Sequence, residues 1–307
     1  MDPAPTKPTQ PGNPPRRGAT AARIALAAGL LVALAGCGLE QDIDLELPPY
    51  EPQPAVEAYL RPGDFFSLLI TRSSGFFDPL EIEGERFLEN LLLDSAEVTI
   101  RWADQSVELV NQVVFDPRTG QVYNYVAPEL VPENYVDSFY LDARLADGTT
   151  ITGATKLLPP VRLDSAVVEF RDGLGAGDDT LARIFAYVTD PDPALTNRFH
   201  RILTYSPQDS STLQDFVFTD EFTDQPSIPV GTVYFFEPGD TVYAFTTHVD
   251  ADFEEYLLSV QLAEASNGNP FAQPSGLLSN VRGSADPVGI FTTYAVEVDT
   301  VFVPEAP

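Results

Sequence analysis

Few residues in this chain are able to do chemistry. Its 307 residues include one cysteine, Cys37, and two histidines, His200 and His248, beside 46 Asp and Glu. A single thiol cannot close a disulfide or build a thiolate metal site. Neither histidine belongs to an H-E-x-x-H pair, no G-x-S-x-G elbow occurs, and among so many carboxylates an acidic pair arises by chance. The histidines are expected in structural or surface positions. Gly173-Leu174-Gly175-Ala176-Gly177 suggests a phosphate loop, but Asp178 and Asp179 follow it and would repel phosphate. The motif also requires a helix after it, so a hairpin loop is expected. Thr189-Asp190-Pro191-Asp192-Pro193 with Asn197 offers oxygens to a cation. It lacks the ligand spacing and terminal glutamate of a calcium loop and reads as a capped turn between strands. No metal site, cofactor or catalytic group is expected, and the protein reads as a non-enzyme.

What remains is Cys37 and its surroundings. Lys7, Arg16, Arg17 and Arg23 precede Ile24 to Ala35, twelve almost purely aliphatic residues. A membrane span needs about 20. A basic flank, a short apolar run and small residues at its end make a secretory signal peptide, here residues 1–36. Leu34-Ala35-Gly36-Cys37 resembles the lipobox of bacterial lipoproteins. That resemblance implies removal of the leader and acylation of the Cys37 sulfur, with acyl chains contributing about 0.8 kcal/mol per buried methylene. Glu40, Asp42 and Asp44 resemble the export signal of surface lipoproteins in the Bacteroidota, and Gly38 is not the aspartate that retains lipoproteins at an inner membrane. An outer-membrane location, lipid-anchored at Cys37 and facing the cell exterior, is the expectation. Residues 37–54 form an acidic tether that Pro48, Pro49, Pro52 and Pro54 stiffen.

The net charge is −29; residues 1–36 hold four of the bases and one of the acids, so the chain from Cys37 onward carries −32. Such a surface repels nucleic acid and anionic lipid, which excludes nucleic-acid binding. Fifteen Arg against two Lys, Lys7 and Lys156, resembles surfaces from salty habitats, where salt screens self-repulsion.

The elements that position everything else alternate with a period of two, which predicts half-buried strands. Val56, Ala58 and Leu60 alternate with Glu57, Tyr59 and Arg61; Phe66, Leu68 and Ile70 share one face, as do Val98, Ile100 and Trp102, and Phe139, Leu141, Ala143 and Leu145. Arg61-Pro62-Gly63-Asp64, Asp147-Gly148 and Glu237-Pro238-Gly239-Asp240 read as turns. The pairs Phe65-Phe66, Phe76-Phe77 and Phe235-Phe236 place one ring inward and one outward, and the outward rings are candidates for a contact patch. Pro159-Pro160 cannot sit inside a sheet and marks a linker. Strands resume at Ser165–Phe170, Leu181–Val188, Phe199–Tyr205, Thr232–Phe236, Thr241–Val249 and Tyr294–Val303. Phe253, Tyr256, Leu257 and Val260 instead follow helical spacing, with Asp252 and Glu255 as its cap; Glu81–Leu93 is a weaker helical candidate. The fold class is all-β. An immunoglobulin-like sandwich over 55–158 is followed by a larger β-sandwich over 161–303, with one inserted helix near 252–265 and a long loop over 267–290.

Phe253-Glu254-Glu255-Tyr256-Leu257, Asn269-Pro270-Phe271-Ala272-Gln273-Pro274, Ser279-Asn280-Val281-Arg282-Gly283 and Gly289-Ile290-Phe291 occur in that order. Together with the lipobox, Val56-Glu57-Ala58-Tyr59-Leu60 and Leu69-Ile70-Thr71-Arg72-Ser73, they resemble a family of Bacteroidota outer-membrane lipoproteins defined by a domain of unknown function. Ala285-Asp286-Pro287 departs from its pattern. Genes of that family often lie beside TonB-dependent receptors. The resemblance therefore implies a non-enzymatic accessory to such a receptor in ligand capture or uptake, with no catalytic residues to carry over. The alternative is a free-standing surface adhesin or carbohydrate-binding module. The long C-terminal loop, with Asn269, Pro270, Phe271 and Asn280, is the expected partner surface.

Overall fold

The computed structural model describes residues 51–73, 91–174, 180–205, 212–223, 225–266 and 276–306. Tyr50–Pro307 forms one compact unit, and its architecture is all-β with a single helix among the described residues.

Seven strands build the first sandwich: β1 (Pro54–Leu60), β2 (Phe65–Arg72), β3 (Glu97–Trp102), β4 (Gln105–Asp116), β5 (Gln121–Leu130), β6 (Ser138–Arg144) and β7 (Thr150–Lys156). Their order is β7-β6-β3-β4-β5-β2-β1. β4 pairs with β3 through its first half and with β5 through its second, so it passes between layers. The layers β1-β2-β5-β4 and β3-β6-β7 have the strand order of a constant-type immunoglobulin domain. Such domains in antibodies pack a tryptophan of the third strand against a disulfide joining the second and sixth. Here Trp102 of β3 stacks on Phe66 of β2 at 5.2 Å and on Phe139 of β6 at 5.4 Å between ring centres. Two aromatic rings stand where the disulfide would, as a chain with one cysteine requires. The alternating residues read from the sequence, Val56 through Ala143, are all in this core.

Leu157 and Val161, buried in the two successive cores, flank Pro159-Pro160 and carry the chain across. The second sandwich sets β8 (Leu163–Arg171), β9 (Leu181–Thr189) and β12 (Ser227–Gly231) against β10 (Arg198–Thr204), β11 (Gln214–Thr219), β13 (Thr241–Val249) and β16 (Val296–Phe302). Thr232–Phe236 is not a strand: Phe236 makes one isolated bridge, to Ala182. The strand lies earlier, at β12, where Pro229 is tolerated because β12 is an edge.

Between β13 and β16 the chain returns to the first sandwich. Helix α1 (Ala251–Ser266) buries Phe253, Tyr256 and Ser259. Its cap is Asp250, which accepts from the Phe253 amide at 2.8 Å, rather than Asp252. The loop expected over 267–290 contains β14 (Arg282–Gly283), antiparallel to β7, and the start of β15 (Val288–Thr293), parallel to β1. Both free edges of the first sandwich are thereby paired. Two glycines permit the approach. A Cβ on Gly283 would fall 1.8 Å from the Thr150 carbonyl oxygen, and one on Gly289, at φ +126°, 1.9 Å from that of Val56.

A candidate binding groove

The residues that could act on a ligand collect on the outer face of β1, β2, β4 and β5. After Leu109 the side chains of β4 leave the core: Val110 is 56% exposed and Phe115 60%. Phe65 on β2 is 59% exposed while Phe66 beside it is fully buried, the inward and outward disposition expected of adjacent aromatics. Two irregularities in the ladder, at Asn111/Val114 on β4 and opposite Phe65/Ser67 where β5 contains Pro128, bend the sheet around this face. Asn124, fully buried, repairs the ladder by accepting from the Ile70 amide and donating to the Ile70 carbonyl. The result is a groove of about 610 Å³ floored by Phe65, Val110, Val114, Phe115, Val126 and Pro128. Among the described residues, Gln112, Ser67, Tyr59 and Tyr123 are its uncharged polar lining.

At one end stand four charges. Arg118 is held by Asp64 at 3.1 Å and Asp116 at 3.2 Å. Burial works against the Asp116 carboxylate, but hydrogen bonds and charge from Arg118 outweigh it and hold the group below its usual range. Arg61 differs: among the described residues it has no carboxylate partner, and its buried Nε has no acceptor. Its guanidinium lies 5.6 Å from the Tyr294 ring centre, a cation–π distance. Arg61, Asp64 and Arg118 also line a second cleft of about 760 Å³ between the sandwiches, walled by Ile202, Phe245, Val296 and Val298 on the far side.

Tyr294 is fixed from behind by His200, whose Nδ1 lies 3.1 Å from the tyrosine hydroxyl and whose Nε2 lies 2.6 Å from Asp215. This Asp–His–Tyr chain holds the Tyr294 ring in place, and burial pushes the tyrosine hydroxyl above its ordinary pKa. His248 is stacked on Phe199 at 5.2 Å, and burial lowers its pKa.

Asp190, Asp192 and Asp220 gather around Asn197, whose Nδ2 lies within 3.0 Å of an oxygen from each and so occupies their centre. No group of side chains able to hold a metal is present among the described residues. Cys37, Leu34, Ala35, Gly36, Glu40, Asp42, Asp44, Asn269, Pro270, Phe271, Phe76-Phe77 and most of Glu81–Leu93 lie outside the described residues, as do 175–179 of the glycine-rich loop. Asn280 is committed internally: its side chain donates to the Phe291 carbonyl and accepts from the Phe291 amide, at 2.9 and 2.8 Å. The motif of Val281, Gly283, Gly289, Ile290 and Phe291 is thus the plug that seats β14 and β15 against the first sandwich. No helix among the described residues is long and apolar enough to cross a membrane. The chain matches no model of a known protein family, and no curated protein matches it either.

Proposed function

We propose that this is a non-enzymatic, lipid-anchored outer-membrane protein that captures a ligand or partner in the groove of its first sandwich, as an accessory to a TonB-dependent receptor. The observation that carries the reading is the groove. An otherwise highly acidic chain presents Phe65, Val110 and Phe115 together on one bent sheet face, and concave apolar surfaces with a few convergent polar groups are binding sites. The resemblance of Leu34-Ala35-Gly36-Cys37 to a lipobox supports the anchor, and the motif resemblance alone supports the receptor partner. Crosslinking of the full-length protein in native outer membranes, followed by mass spectrometry, tests it. A stoichiometric TonB-dependent receptor is expected, with the crosslink lost in Phe65→Asp/Val110→Asp; recovery of the lipoprotein alone sinks the receptor role. A second reading, a free-standing glycan-binding module, draws on the exposed Phe65 and Phe115 rings and is favoured instead if surface polysaccharide copurifies.

A further inference from the structure

Resting on that reading of the groove, the geometry points to a ligand class: we propose that the groove holds a single-chain anionic amphiphile, its alkyl chain along Phe65, Val110, Phe115 and Val126 and its head group on Arg61. Two features select this class. A peptide or a sugar brings many hydrogen-bonding groups, each costly to bury without a partner. The stretch formed by Phe65, Val110, Val114, Phe115, Val126 and Pro128 offers them little, since these side chains are all apolar; the polar lining is Ser67, Gln112, the hydroxyls of Tyr59 and Tyr123, and the charged residues at one end. An alkyl chain needs no partner and gains from burial in proportion to its length.

Arg61 sets the head group, a local positive site on a chain whose acidic surface as a whole repels anions. Arg118, the other cation at that end, is already bracketed by Asp64 and Asp116. Arg61 has no ion-pair partner among the described residues, and its buried Nε lacks an acceptor. A planar guanidinium presents paired donors that suit a carboxylate or phosphate. Tyr294, locked by His200 and Asp215, holds that guanidinium from one side. Because Arg61 lines both the groove and the inter-sandwich cleft, the head group sits at their junction and the chain runs outward over the bent sheet.

The test is calorimetric titration of the full chain, carried as Cys37→Ser so that no lipid of its own competes, with dodecanoate and with dodecyltrimethylammonium. One dodecanoate per chain is expected, abolished in Phe65→Asp/Val110→Asp. A charge-assisted hydrogen bond is worth enough that Arg61→Met should weaken dodecanoate about tenfold or more, with the cationic amphiphile unaffected. Arg61→Lys should recover part of the loss, which separates charge from misfolding; circular dichroism confirms each variant is folded. Equal dodecanoate binding by the double variant overturns the proposal, and so does equal binding by Arg61→Met. If dodecanoate fails to bind while the double variant still loses the receptor crosslink, the ligand class is wrong and the groove remains the partner site. If both fail, both readings fall.

Discussion

Replacing Gly289 by alanine tests the return of the C-terminal segment to the first sandwich. The backbone there has φ +126°, a region that side chains avoid, and strain of that kind costs about 1–3 kcal/mol. The added Cβ would also lie 1.9 Å from the Val56 carbonyl oxygen and 2.8 Å from the Val56 nitrogen. These are backbone atoms of β1, which is paired on its other side with β2, so β15 must move instead. Moving it exposes Ile290 and Phe291, both fully buried, and each such side chain contributes roughly 1.5–3 kcal/mol when buried. With partial relaxation the expected loss is about 3–5 kcal/mol, a large share of a stability of about 5–15 kcal/mol. The assay is urea denaturation followed by two signals. Trp102 is the only tryptophan and reports the first sandwich alone, whereas far-ultraviolet circular dichroism reports both. Wild type should give coincident curves. In Gly289→Ala the tryptophan curve should move to lower urea and run ahead of the dichroism. Gly276→Ala, with nothing within 4 Å of its added Cβ, should leave both unchanged. A Gly289→Ala unfolding free energy within about 0.5 kcal/mol of wild type, the size of an ordinary surface substitution, would refute the parallel pairing of β15 with β1.

Trp102→Ala should cost about 3–5 kcal/mol, because it removes the ring that fills the space between Phe66 and Phe139; a thermal melt reads it. Arg201→Met should stabilise the protein by about 1–4 kcal/mol, the range seen when buried charge gives way to apolar packing. Arg201 is 1% exposed and burial lowers its pKa to about 10; its Nη1 donates to the Val230 carbonyl at 3.4 Å and its guanidinium lies 4.9 Å from the Phe216 ring centre, but among the described residues its Nε and Nη2 have no acceptor; an unchanged or lower urea midpoint contradicts this. Burial raises the pKa of Asp250 above its ordinary value of 3.8. The folded state therefore holds this proton more tightly than the unfolded chain. The contribution is fully present below the ordinary carboxylate value and is lost as pH rises through the raised one. Asp250→Asn should flatten that decline in a pH series of urea midpoints while keeping the Phe253 cap; an unaltered slope assigns the pH dependence to another group such as Glu57, which burial shifts the same way.

The core strands were legible because each has one wet face and one dry one, so Val98, Ile100 and Trp102 announce themselves by alternation alone. β4 and β5 were not. Val110, Val113 and Phe115 put apolar residues on the solvent side, and two bulges shift the period midway. Those departures are what make the groove, so the same features that hide the strands build the site. The cap of α1 was misassigned because Asp250 and Asp252 both precede the helical run and Glu255 completes a capping box only with Asp252. Contacts from Thr155 and Thr292 to the Asp250 carboxylate come from distant strands and decide the matter. Only the outward Phe65 points from sequence toward the groove; Arg61 appears there as one of the residues alternating with Val56, Ala58 and Leu60 and as the first of a turn.

The pairing of β1 with β15 also governs the order in which the protein can be finished. A chain emerging from the amino terminus delivers β1 to β7 first, yet the outer edge of β1, away from β2, has no partner until Val288 arrives, and the outer edge of β7, away from β6, waits likewise for Arg282. Until then both outer edges of the first sandwich present unpaired backbone groups, a template for joining another chain. Contacts so distant in sequence also form slowly. The second sandwich has its strands up to β13 before the inserted segment appears. The second sandwich still lacks β16 at that point, so both sandwiches are completed only when the last strands emerge, and the outer edges of the domain made first stay open for nearly the whole of synthesis.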